Sequence, residues 1–367
     1  MQKEWIPYPL EDCLEHVPKT TKIPSSDYKE SGRFPIVSQE ETLISGYWDN
    51  EADVLSITHP VVVFGDHTRV LKYVDFNFVV GADGVKVLSP KNSVNPKFLF
   101  YFLKWYKVPS LGYSRHFKLL KEANIPVPPL SMQLRIVAEL DLLSGIVEKQ
   151  DAQLKELDAL AQSIFYDMFG NPAENDKGWT IKSLGDVCLI ERGGSPRPIE
   201  QYLTDDENGV NWIKIGDATD GGMVISSTKQ KIIPEGVKKS RFVHRGDFLL
   251  SNSMSFGKPY ILGVDGCIHD GWLVIRDSHN TFNKIYLYYF LGCPHTYESF
   301  KRMAVGGVVN NLNKDMVKKV RVAIPDSGTQ DSFASKIEVI EQQKARIIRA
   351  IAETQNLLDY TMDKYFG

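Results

Sequence analysis

The chain has 367 residues, 43% of them hydrophobic and 24% charged, with a net charge of -3, which leaves room for two or three domains with cores of their own. No window approaches 18 consecutive apolar residues, which excludes a membrane-spanning helix, and the opening MQKEWIPYPL lacks the apolar stretch of a secretory signal. Cys13, Cys188, Cys267 and Cys293 are scattered with no CxxC pair, which argues against a zinc site or disulfide framework and for reduced thiols in a cytoplasm.

In chain order, WIPYPLEDCLE (5–15) comes first, followed by strand signals at 53–65 and 76–89, where β-branched runs are bounded by Gly, Asp and Pro. NPKFLFYFL (95–103) is short and apolar all round, as a buried helix should be. Pro128-Pro129 close this region, and residues 131–169 contain no proline. That stretch predicts one helix about 58 Å long. In heptads it places Leu140, Val147 and Leu154 at one seam position and Ile136, Leu143, Leu157 and Ile164 at the other, an a/d pattern with a charged exterior. Gly170-Asn171-Pro172 end it. WTIKSLGDVCL (179–189) then opens a second strand-rich region, with signals at 242–251 and 259–266 and another apolar segment, NKIYLYYFL (283–291). A second long helix follows from about residue 330, with seam positions Phe333, Ile340, Ile347 and Ile337, Ile351, Leu358, interrupted by Lys344, Thr354 and Thr361.

These elements are one unit written twice. FYDMFG (165–170) returns as MDKYFG 197 positions later, with Gln133 falling on Gln330, Ile136 on Phe333 and Leu140 on Ile337. Trp5 and Leu10 precede Trp179 and Leu184 by 174 positions. So long a period excludes a solenoid and predicts an α+β protein: two mixed α/β domains, 1–129 and 172–325, separated by two long helices, 130–171 and 326–367. The helices would pack antiparallel as a coiled coil within the chain and give it a pseudo-two-fold repeat; pairing with another chain is the alternative. Residues 1–126 carry 15 basic and 15 acidic side chains and 172–325 carry 20 and 17, so the net negative charge lies in the helical segments. The globular regions are neutral to slightly basic, which permits a phosphate-facing surface.

No P-loop, G-x-G-x-x-G, G-x-S-x-G or His-Glu-x-x-His occurs, nor the Asn/Asp-Pro-Pro-aromatic loop of amino-methyltransferases. Asp83-Gly84 and Asp270-Gly271, aligned in the two copies, read as turns.

The segment PVPPLSMQLRIVAELDLLSGIVEKQDAQLKELDALAQSIFYDMF resembles the central conserved region of the specificity subunit of type I restriction-modification enzymes. Its degenerate echo near 326–367, the Trp–Leu–Asp openings of both halves and SNSMSFGKPYIL (251–262) resemble that family as well. The second copy departs from the pattern, with Asp326-Ser327-Gly328 where the first has Pro129-Leu130-Ser131. The resemblance implies a non-catalytic subunit in a prokaryotic cytoplasm. Each globular part would be a target recognition domain reading half of a split asymmetric site on double-stranded DNA. The helices would set the gap and dock two adenine-N6 methyltransferase subunits, joined in the full complex by motor-nuclease subunits. No cofactor is expected on this chain itself: S-adenosylmethionine belongs to the methyltransferase, ATP and Mg to the restriction partner. A coiled-coil scaffold whose two domains bind proteins or other ligands is the alternative.

Recognition needs polar and cationic side chains on loops. In the first domain the candidates are Lys19, Thr20 and Lys22 in PKTTK, His67 and Arg69 in GDHTR, and Arg115, His116 and Lys118 in YSRHFK. In the second they are Arg192, Ser195 and Arg197 in ERGGSPR, Ser251, Asn252, Ser253 and Lys258 in SNSMSFGK, and Asn310 and Asn311.

Overall fold

The computed structural model describes residues 5–82, 84–112, 114–218, 222–253, 256–304 and 311–367. Its contacts divide the chain into two compact units, Met1–Ala152 with Ile347–Gly367, and Gln153–Arg346. The division falls inside both long helices, so each unit holds one globular body and a stretch of each helix. No helix among the described residues is long and apolar enough to cross a membrane.

In the first unit the strands are β1 (Pro7–Pro9), β2 (Leu14–Glu15), β3 (Lys22–Ile23), β4 (Phe34–Val37), β5 (Gly46–Trp48), β6 (Val54–Leu55), β7 (Val61–Gly65), β8 (Leu71–Val74), β9 (Phe78–Gly81) and β10 (Val85–Pro90). After them come α1 (Pro96–Tyr106), α2 (Phe117–Leu120), β11 (Asn124–Pro126) and the first long helix, α3 (Leu130–Phe169). One sheet has the order β2-β10-β7-β8, a second β3-β9-β4-β5 with β6 also on β9, and β1 pairs β11.

In the second unit the chain forms β12 (Thr180–Ser183), α4 (Leu184–Val187), β13 (Leu189–Arg192), β14 (Leu203–Thr204), β15 (Val210–Ile213), β16 (Val224–Ile225), β17 (Gln230–Ile232), α5 (Pro234–Val237), β18 (Arg241–Val243) and β19 (Phe248–Ser251). β20 (Pro259–Leu262), β21 (Gly266–Ile268), β22 (Trp272–Arg276), α6 (Lys284–Gly292), α7 (Pro294–Ala304), α8 (Lys314–Lys318) and β23 (Arg321–Ile324) complete it, and the long helix α9 (Ser327–Phe366) is divided after Arg346 between the second unit and the first. The sheets are β13-β22-β19-β20-β16 and β14-β17-β15-β21-β18, and β12 pairs β23.

The two sheet plans share a core, to which the first unit adds β3 and the second adds β14 and β16. In each unit a strand and its successor (β9 and β10, β21 and β22) lie in different sheets, and the first of them pairs a parallel neighbour, β4 or β15. The register repeats as well. Pro7 faces Pro126 and Pro9 faces Asn124; 174 and 197 positions on, Ile181 faces Ala323 and Ser183 faces Arg321.

The apolar segments at 95–103 and 283–291 are the buried helices α1 and α6. Asn95 and Asn283 cap them, each side-chain oxygen accepting from a backbone N–H of the first turn. A buried glutamine ties each cap to the start of a long helix. Gln133 Oε1 accepts from Asn95 N at 2.7 Å while its Nε2 donates to Ser93 O and Pro128 O at 2.9 and 2.8 Å. Gln330 does the same with Asn283 N, Thr281 O and Pro325 O at 2.7, 3.1 and 2.9 Å.

In the first unit Ile136 and Leu140 of α3 share a core with α1 and with Leu358, Met362 and Phe366 of α9. Tyr365 Oη donates to Glu139 at 2.6 Å, and Trp105 Nε1 donates to Asp363 at 2.6 Å. In the second unit Ala161, Phe165 and Phe169 of α3 pack with Phe333, Ile337 and Ile340 of α9 and with α6, Phe169 lying 4.6 Å from Tyr286 and 5.1 Å from Phe333 between ring centroids. Lys344, a predicted interruption of the seam, is largely enclosed and makes ion pairs with Asp158 at 2.8 Å and Glu341 at 2.9 Å.

Every predicted seam residue is buried or half-buried. The a/d reading nevertheless missed Phe165, Phe169 and Phe366, which are almost fully buried. Where a helix end meets a globular core, its apolar face follows the 3.6-residue period of a core-facing helix rather than the narrower coiled-coil stripe. All four cysteines are free and buried, and burial pushes the Cys188 thiol up to about 12.

Candidate nucleic-acid interface

In each unit the predicted polar segments gather where one sheet passes to the other, near Gly84 in the first unit and Asp270 in the second. In the first unit Lys22 starts β3, beside the end of β9, and its Nζ reaches Val85 O at 3.4 Å. GDHTR is the β7–β8 turn. Asp66 N donates to Gly84 O at 2.7 Å, His67 N to Gln39 Oε1 at 3.3 Å and Thr68 Oγ1 to Gln39 O at 2.6 Å. Arg69 adopts a left-handed φ of 64°, and its guanidinium holds Val108 O at 3.2 Å. It lines an open groove of about 640 Å³ together with Thr68, Phe100, Lys104 and Lys107. The two lysines, absent from the predicted set, add positive charge on the α1 side.

YSRHFK lies against the same turn, but its histidine is internal. His116 is fully buried; Nδ1 bonds Asp66 O at 2.9 Å and Nε2 accepts from Leu111 N at 3.0 Å. Accepting at Nε2 makes the ring neutral with its proton on Nδ1, a brace for the loop. Asp66, itself almost completely buried, accepts from Phe117 N at 2.7 Å. Arg115 and Lys118 on either side are exposed, as is Lys19; Thr20 is half-buried. Asp83 lies outside the described residues.

In the second unit two predicted segments, ERGGSPR and SNSMSFGK, meet at the β21–β22 turn, His269-Asp270-Gly271. Ser195 Oγ donates to Asp270 Oδ1 at 2.8 Å and Arg197 Nη2 lies 3.4 Å from Oδ2. Arg192 Nε and Asn252 Nδ2 both donate to the Asp270 carbonyl, each at 3.0 Å. Gly193 makes this approach possible: a Cβ there would sit 2.1 Å from His269 O. Burial alone would raise the Asp270 carboxyl, but the Ser195 hydroxyl, its own N–H and the Arg192 guanidinium hold it below the usual carboxylate range.

Ser251 and Asn252 are buried, against the expectation that they face a ligand. Ser251 Oγ accepts from Lys258 N at 3.0 Å, and Asn252 O accepts from Leu312 N at 2.9 Å. Both side chains brace the site from within, because a hydroxyl or amide at a strand end can satisfy neighbouring backbone groups. Ser253 is half-buried, and Lys258 and Asn311 are exposed. Asn310 lies outside the described residues.

Sequence reasoning missed Gln39, Asp66 and Asp270. The available signal for Asp270 was the aligned Asp-Gly pair in both copies; for Gln39 and Asp66 nothing in the sequence separates them from solvated loop residues.

The sequence matches the family described as "Type I restriction modification DNA specificity domain" over residues 2–157 and again over 176–354. It is 25% identical over 395 residues, with 100% of this chain and 95% of the other covered, to the type I restriction enzyme EcoR124I/EcoR124II specificity subunit of Escherichia coli. It is 26% identical over 383 residues to the Haemophilus influenzae protein S.HindORF215P, with 97% and 93% covered. Among solved structures, the type I restriction-modification S subunit from M. genitalium shares the fold with a TM-score of 0.58 at 13% identity, 100% of this chain and 97% of that one being covered. A chain from a type I R-M system studied for complex assembly and conformational transition does so with a TM-score of 0.56 at 19% identity, covering 99% and 97%.

Proposed function

Since the chain belongs to the type I restriction-modification DNA specificity family, we propose that each of its globular bodies reads one half of a split, asymmetric site on double-stranded DNA. The helices α3 and α9 pair antiparallel as a coiled coil, set the gap between the half-sites and dock two adenine-N6 methyltransferase subunits. Motor-nuclease subunits complete the restriction form. Base extrusion and methyl transfer belong to the partner, which brings S-adenosylmethionine; ATP and Mg belong to the motor-nuclease, and the complex works in the cytoplasm. Lys19, Thr20, Lys22, His67, Arg69, Arg115 and Lys118 form the first DNA-facing surface, and Arg192, Ser195, Arg197, Ser253, Lys258 and Asn311 the second.

The observation that carries this reading is the repeat itself: a two-sheet body with a shared core plan occurs twice, with cationic and polar loops gathered near Gly84 in one copy and Asp270 in the other. Two unequal copies of one reader suit two unequal half-sites. The antiparallel pairing is supported unit by unit, since Glu139 near the start of α3 meets Tyr365 near the end of α9, and Asp158 toward the end of α3 meets Lys344 in the first half of α9.

Co-purification with the methyltransferase of the same system tests the reading. The expected complex has two methyltransferases per chain and retains a DNA duplex. A chain that binds no methyltransferase and no DNA would be a scaffold with other ligands.

A further inference from the structure

Asp270 has more partners than a solvated turn aspartate needs. Its carboxylate faces Ser195 Oγ and Arg197 Nη2, and its carbonyl accepts from Arg192 and Asn252. The two members of its ion pair are unequally exposed: the Arg197 side chain is 81% accessible, that of Asp270 39%. The guanidinium has five N–H donors, and among the described residues only Nη2 is engaged. One carboxylate oxygen thus steadies Arg197 from one side and leaves the other side open. Arg197 stands on an open groove of about 690 Å³ that it lines with Ser195, Trp212, Lys214, Gln230 and His269.

Charge decides what that open side suits. A phosphate-neutralising cation releases counterions and adds about 0.9 to the salt slope, but a guanidinium paired with a carboxylate has little net charge to offer a phosphate. It keeps its hydrogen-bonding geometry, and the commonest specific use of that geometry is a bidentate contact to guanine O6 and N7 in the major groove. We propose that Arg197 is a base-reading residue of the second globular body, that Asp270 is its positioning residue, and that this half-site contains a guanine at the position Arg197 reads. The proposal rests on the DNA-reading function above and names its chemistry at one base.

The test uses the full chain in complex with its methyltransferase, mapping methylated adenines for the parental protein and for Arg197→Lys, Arg197→Ala and Asp270→Asn. Arg197→Ala should lose the preference for guanine at one position of one half-site, by about 10- to 100-fold, and Arg197→Lys, which lacks the planar fork, should lose less of it, with every other position unchanged. Asp270→Asn should weaken the same preference at the same position, and the salt slope of binding should stay that of the parent. The proposal is overturned if Arg197→Ala keeps the parental motif at every position; a salt slope flattened in the same variant would make Arg197 a phosphate contact. Because Arg197 is so exposed, its variants keep the test valid even if Asp270→Asn fails to fold. A parental complex that methylates no split motif would instead remove the DNA-reading assignment, and this proposal with it.

Discussion

Gln133 and Gln330 show how single side chains hold a long helix to a globular body. Each amide is almost completely buried and fully engaged, accepting one backbone N–H and donating to two carbonyls. Truncation to alanine strands those three backbone groups, and a buried polar group left unpaired costs about 1–3 kcal/mol. Gln330→Ala should therefore destabilise the second unit by about 3 kcal/mol, read as a shift in the denaturant midpoint, with Gln133→Ala doing the same to the first. A loss under about 1 kcal/mol would mean that water replaces the amide and that the latch is incidental. The sequence repeat aligns the two glutamines but is silent on their partners, which lie 38 and 47 residues away at the caps of α1 and α6.

At the level of elements, α3 and α9 are legible in the sequence because proline-free stretches bounded by Pro, Gly and Asp leave a periodic apolar face, and α1 and α6 because they are short and apolar throughout. The sheets are less so. Strands of two to six residues carry too few alternations to reveal a partner, and the split into two sheets around the β9–β10 and β21–β22 turns has no local sign. Lys344 is instructive: its counterpart in the first copy is Val147. In the folded chain its ammonium lies between two carboxylates, so the two helices are not interchangeable copies, and a polar seam residue is a recognised way to specify pairing. If the helices are the ruler of the proposed site, adding four residues after Gln150 lengthens one by about 6 Å, or roughly two base pairs. The variant should keep both half-sequences and lose the parental gap in a methylation map; a variant that still reads the parental gap would show that something other than α3 sets it.

For the molecule as a whole, duplication is the organising fact, and function follows from how the copies diverge. Framework positions repeat: Leu10 and Leu184 are fully buried, their N–H groups donating to Ala123 and Val320. The candidate DNA-facing loops differ, Asp66 and His116 bracing those of the first copy and Asp270 with Asn252 those of the second. A framework repeats because packing constrains it, whereas under the proposed function half-site readers must differ to read unequal halves. For the same reason the candidate DNA-contacting residues were only partly legible. Residue type and loop position identified exposed Arg69, Arg192 and Arg197, but could not tell them from His116, Ser251 and Asn252, whose side chains turn inward and each bond backbone groups. The most direct test of the account is to express the chain with the methyltransferase of the same system and map methylated adenines across the DNA. The account predicts one motif of two short, unequal halves with a fixed gap; methylation at a continuous or symmetric motif, or none from an intact complex, would contradict it.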